Sequence, residues 1–93
     1  MRPEDVLIPN GIPIGIPSPG GDPSIRNVPG GPTAARRIYE QLAQGGRPYH
    51  GDYPGTAVEL PTGGFVGIRG ADSDHPTIDV NIPGIPQVSK LHF

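Results

Sequence analysis

The chain has no cysteine and no tryptophan, a single methionine, and only three tyrosines and two phenylalanines in 93 residues. Without cysteine there is neither a disulfide framework nor a thiolate nucleophile, a composition compatible with a reducing compartment. No apolar run approaches the roughly 18 residues of a membrane span, and the start lacks the basic, apolar and cleavage regions of a secretory signal. The net charge of −2, from seven basic and nine acidic side chains, provides no long-range field toward nucleic acid or an acidic membrane. Any nucleic-acid function must therefore rest on a local patch. What the chain holds in excess is 15 glycines and 14 prolines, a fraction typical of low-complexity sequence.

That excess is uneven. Eight prolines and six glycines fall within residues 1–32, where the stretch PNGIPIGIPSPGGDPSIRNVPGGP breaks up every potential helix or central strand, because proline lacks an N–H and drives its predecessor to extended geometry. Residues 1–32 are expected to form a Pro/Gly-rich linker, extended and solvated, with residues 33–93 forming the domain. Ile8, Ile12, Ile14 and Ile16 leave a second possibility open, that part of the leader lies along a groove of the domain as an edge strand. A domain of about 60 residues buries only about 60% of its unfolded surface. A large enclosed cofactor pocket and a dinucleotide-binding sheet are excluded, and no cofactor is called for.

Beyond Pro32 the apolar residues become periodic. Thr33 is a candidate N-cap for AARRIYEQLAQ, and Gly45–Gly46 is a candidate stop; Ala35, Ile38, Tyr39 and Leu42 then form one buried stripe. After an irregular loop, RPYHGDYPG, the period falls to two. Residues 56–60 and 64–69 read as a hairpin around Pro61–Thr62–Gly63, and residues 77–82 and 88–93 as two further strands. The expected fold class is α+β, one helix packed on a four-stranded, mostly antiparallel sheet.

Alternation assigns Val58, Leu60, Val66, Ile68, Ile78, Val80, Ile82, Leu91 and Phe93 to the face beneath the helix. The other face receives Glu59, Phe65, Gly67, Arg69, Thr77, Asp79, Asn81, Lys90 and His92, which a small sheet ordinarily leaves wet. In an antiparallel meander Arg69 lies opposite Thr77 and far from Glu59. The same register sets Asp79 between Gly67 and His92, and Asn81 beside Lys90. Arg69, Thr77, Lys90 and His92 then surround a floor left open by Gly67. Two cations, a hydroxyl and an imidazole suit metal-free cleavage of an RNA phosphodiester: the cations offset charge on the phosphate and the histidine moves a proton. Asp79 would orient His92.

Leu60-Pro61-Thr62-Gly63, Val66-Gly67-Ile68-Arg69, Ser73, Thr77 to Pro83 and Lys90-Leu91-His92-Phe93 together resemble the C-terminal toxin domains of bacterial polymorphic toxin systems. The resemblance is to the ribonuclease group with the barnase, EndoU, colicin and RelE-like fold, and covers about 34 residues, a fraction of a domain of ordinary size. It implies an endoribonuclease with a site of Arg69, Ser73, Thr77, Lys90 and His92, acting on RNA, tRNA included. It also implies a cognate immunity protein, delivery as the tail of a larger secreted protein, and action in the cytosol of a competing bacterium.

Other groupings compete. Asp72, Asp74, His75 and Asp79 offer ligand types for a divalent ion, although aspartates in such loops more often serve turns, and no metal is expected. His75, two residues before Thr77, is a second acid/base candidate, and His50 a third. Tyr49 and Tyr53 are expected to pack, with base stacking as the functional alternative. The competing function is a non-enzymatic binding module that docks a protein on the open face or the Pro-rich leader.

Overall fold

The computed structural model describes all residues, Met1–Phe93, as an α+β fold with a seven-stranded mixed sheet. Its α-helices are α1 (Pro3–Leu7) and α2 (Gly31–Ala43). The strands are β1 (Ile16–Pro17), β2 (Ile25–Asn27), β3 (Arg47–Pro48), β4 (Thr56–Glu59), β5 (Phe65–Arg69), β6 (Thr77–Asn81) and β7 (Lys90–His92). They lie in the order β1-β2-β7-β6-β5-β4-β3, antiparallel throughout except for the parallel pair β2–β7. The expected four strands are β4 to β7, and the single expected helix is α2; α1, β1, β2 and β3 are additional.

The greatest departure is the leader. Residues 1–32 do not run off as a solvated spacer. Val6 and Leu7 of α1 enter the core, with Leu7 fully buried, and β2 pairs with β7. Arg26 explains how so proline-rich a segment is held. Its guanidinium is buried and donates to the carbonyls of Pro13 (3.4 Å), Ile14 (2.9 Å), Gly15 (3.1 Å) and Pro23 (3.1 Å). Prolines supply acceptors without donors, and one arginine with five donors ties those acceptors together. Ser24 completes the seam: its carbonyl accepts from Ser89 N (2.9 Å) and its hydroxyl meets that of Ser89 at 2.7 Å.

Helix α2 begins earlier than the Thr33 cap would set it. Gly30, at φ 109°, is the N-cap and makes no side-chain capping bond, and Pro32 sits in the first turn, where its missing N–H costs nothing. Ala34, Ala35, Ile38 and Leu42 are buried and Tyr39 is half-buried against the core, as the stripe requires. Both α-helices thereby contribute to one core with Leu60, Val66, Ile68, Ile78, Val80, Ile82 and Leu91 from the sheet. Burying each such leucine or isoleucine is worth about 1.5–3 kcal/mol.

The hairpin and its neighbour match the expected register: Val58 faces Val66, Ile68 faces Ile78, and Arg69 faces Thr77. The last strand does not. Thr77 pairs with His92 and Asp79 with Lys90, a slip of two residues from the expected pairing of Asp79 with His92. The connection 82–89 accounts for it. Ile85 and Val88 turn into the core and Val80 N bonds Ser89 O at 2.9 Å, so the ladder to β7 starts only at Lys90.

Candidate functional site

Strand pairing fixes a row of side chains across the face away from the helices: Arg69 (β5), Thr77 (β6), His92 (β7), Asn27 (β2) and Ile16 (β1). Directly paired residues share a face, so these five line up at about 4.8 Å per strand. The neighbouring row holds Ala57, Gly67, Asp79, Lys90 and Ile25.

The second row is not an open floor. An alanine methyl at Gly67 would lie 2.5 Å from the Tyr53 ring, so the space left by the absent side chain is filled by this tyrosine. Tyr53 meets Phe65 edge-on at 6.4 Å, and Tyr49 stacks on Phe65 at 6.0 Å. The loop 49–55 thus roofs the Phe65 and Gly67 part of the sheet and buries Ala57, leaving Val58 half-buried on the core side. His50 is exposed in that loop. The signal for Tyr53 was present in the sequence: a glycine in mid-strand needs a covering group, and the adjacent loop carries two aromatics.

Tyr53 does more than pack. Its hydroxyl donates to Asp79 Oδ2 at 2.7 Å, and Arg69 donates to the same carboxylate from Nε (2.6 Å to Oδ2) and Nη2 (3.3 Å to Oδ1). Asp79 is therefore the anchor of Arg69 rather than the orienting partner of His92. Burial pushes the Asp79 carboxyl up, but the hydrogen bonds from Arg69 and Tyr53 and the charges of Arg69 and Lys90 outweigh it, and it sits below the ordinary carboxylate range. The bond to Asp79 holds Arg69 above its ordinary value. Burial first, then the bond to Asp79, raises the Tyr53 phenol, which stays a neutral donor. Two of five guanidinium donors are used, and three remain for a ligand.

His92 is held by Thr77, whose Oγ1 lies 3.4 Å from Nδ1. Lys90, half-buried, stands beside Asp79 in register without an ion pair; the three ion pairs of the chain are Arg2–Glu4, Arg47–Glu59 and Arg69–Asp79. Glu59 is indeed remote from Arg69, lying 4.0 Å from Arg47. Ser73 is used locally: its hydroxyl donates to Gly70 O (2.7 Å) and accepts from His75 N (3.2 Å), so it shapes the 70–76 loop. His75 is exposed, with Nδ1 3.3 Å from the main-chain oxygen of Phe93, which brings it to the same end of β6 and β7 as His92. Asp72, Asp74, His75 and Asp79 do not converge into a group that could hold a metal ion.

The structure thus brings Arg69, Thr77 and His92 together in one row, sets Lys90 in the next row and His75 at the margin, and ties Ser73 into its loop. Asn27 was missed, because it belongs to the segment read as a spacer. Comparison of the chain with protein-family models, with curated proteins and with solved structures finds no match. No helix is long and apolar enough to cross a membrane.

Proposed function

We propose that this chain is a metal-independent endoribonuclease of the antibacterial toxin kind, working on the face that carries Arg69, Thr77 and His92. The single observation behind this reading is that row: a guanidinium clamped by Asp79 with donors to spare, a hydroxyl, and an imidazole, adjacent on one rigid sheet. With His92 Nδ1–H donating to Thr77 Oγ1, the Nε2 lone pair is free to take the proton of a ribose 2′-hydroxyl. The 2′-oxygen then attacks phosphorus, the bond to the 5′-oxygen breaks, and that oxygen takes a proton from His75, giving a 2′,3′-cyclic phosphate and a 5′-hydroxyl. Arg69 offsets the charge gathering on the phosphate oxygens, and Lys90 adds its field from the next row.

This reading carries the partners of the toxin resemblance: an RNA, tRNA included, delivery as part of a larger secreted protein into the cytosol of a competing bacterium, and a cognate immunity protein. An inhibitor of such a face would place Asp or Glu side chains against Arg69 and Lys90 and cover His92. The decisive test is incubation of the purified chain with total RNA in EDTA, with His92→Ala in parallel; RNA left intact by the wild-type chain overturns the proposal. A second reading, a protein-docking module, is favoured by the exposed Ile12 and Ile16, 68% and 66% accessible along the leader edge. A binding module would be tolerated by its host without a co-expressed immunity protein, and a ribonuclease would not.

A further inference from the structure

The row of functional side chains does not end at His92. One strand further, Asn27 stands opposite His92, and beyond it Ile16 stands opposite Asn27. A groove of about 570 Å³ opens there, lined by Ile16, Asn27, Val28, Pro29, His92 and Phe93. The side-chain bonds at this end of the sheet join His92 to Thr77 and His75 to Phe93, and leave the half-buried Asn27 carboxamide without a partner. β1 comes this close to β2 because of Gly15, at φ +74°, where a methyl group would collide with the Asn27 carbonyl oxygen. Any other residue at position 15 would push the apolar wall away from Asn27.

We infer that this groove is a nucleobase subsite, in which Asn27 hydrogen-bonds the edge of an unstacked base against the apolar surface of Ile16, Pro29 and Phe93. The inference rests on the ribonuclease reading and specifies which part of the RNA that face takes. A base is chosen over other occupants for three reasons. The groove shares His92 with the phosphate-handling row, so both would be filled by one molecule. Asn27 stands one strand spacing, about 4.8 Å, from His92, the group that meets the ribose 2′-hydroxyl, so a base seated in the groove keeps its own ribose within reach of that imidazole. The lining is mostly apolar with one carboxamide, a paired donor and acceptor that matches the edge of a base, and single-stranded RNA is read by such edge contacts with its bases splayed out.

Titration of the full chain with each of the four 3′-nucleoside monophosphates and with inorganic phosphate, followed by NMR at Asn27, His92 and Phe93, tests this without requiring catalysis. Nucleotides are expected to shift the Asn27 side-chain amide and Phe93 resonances, while inorganic phosphate shifts His92 and leaves Asn27 in place. Asn27→Ala should weaken nucleotide binding about tenfold and leave phosphate binding unchanged. Asn27→Asp, which keeps an acceptor and loses the donor, should turn the preference toward guanine, whose N1–H and N2–H both donate. If nucleotides and phosphate give the same shifts, or if Asn27→Ala binds both as the wild type does, the subsite is overturned and the groove is left to a protein ligand. Intact RNA combined with base-dependent shifts at Asn27 would overturn the ribonuclease reading alone.

Discussion

At the scale of single residues the two histidines should be separable. His92→Ala is expected to lower RNA cleavage by about 10²-fold or more, and to be equally damaging on a substrate whose leaving group needs no proton, such as a uridine 3′-(nitrophenyl phosphate). His75→Ala should impair RNA cleavage but spare the nitrophenyl ester, since only the departing 5′-oxygen requires its acid. Equal losses on both substrates for His75→Ala would remove it from the acid role. Asp79 gives a pH prediction of definite sign. Its folded-state pKa is depressed, so its contribution is present above the ordinary carboxylate value near 3.9 and is lost as pH falls through the lower folded value. The stability gap between wild type and Asp79→Asn in urea denaturation should accordingly be largest near neutrality and shrink below about pH 4. A gap unchanged at low pH would mean that the carboxylate charge contributes nothing. Gly67→Ala should cost about 1–3 kcal/mol by displacing the Tyr53 ring, and the double variant with Tyr53→Ala should cost less than the two single losses added together.

At the scale of elements the leader is the part on which stability turns. Arg26→Ala leaves four carbonyls without their donor and frees β1 and the run before it, an expected loss of about 3 kcal/mol, which in a chain of this size lowers Tm by more than about 10 °C. Leu7→Ala, in a helix of only five residues, should cost a comparable 2–5 kcal/mol because the side chain is fully buried. A melting temperature unchanged by either substitution would return the leader to the role of a spacer. These elements also mark where the sequence stops being legible. The alternation at Val66, Ile68, Ile78 and Val80 gives the central strands and their pairing, since one face must be buried and a slip of one residue would expose it. A slip of two residues keeps the same faces inward, so alternation is blind to it, and that is the slip found at β7. What sets β7 is Ser24 bonding Ser89 and Lys90 from a segment whose prolines argue against any strand. Composition judged that segment by its local conformation, whereas its structure comes from the long-range acceptors gathered by Arg26. The site divides along the same line. Arg69, Thr77 and His92 lie where period-two reasoning can reach, while Tyr53 and Asn27 arrive from a loop and from the leader.

At the scale of the whole molecule, 31 × 29 × 22 Å with a net charge of −2, the proposed contact with RNA is short and its electrostatics local. Of seven basic side chains, Arg26 is buried and Arg36 and Arg37 belong to α2, on the side of the sheet away from the row. Arg2 and Arg47 are matched by Glu4 and Glu59, which leaves Arg69 and Lys90 as the cations of the open face. Affinity for single-stranded RNA falls with salt by about 0.7 of a logarithmic unit per neutralised phosphate, so two such contacts give a slope of about −1.4 in log K against log salt. An oligonucleotide lacking the 2′-hydroxyl at the cleaved position allows the measurement without turnover. Lys90→Ala should flatten the slope by about 0.7 and weaken binding to every sequence alike, whereas Asn27→Ala should leave the slope intact and weaken binding only through the base that it reads. A slope steeper than about −3 would require at least four phosphate contacts, more cations than this face holds, and would move the RNA onto α2 and its arginines instead.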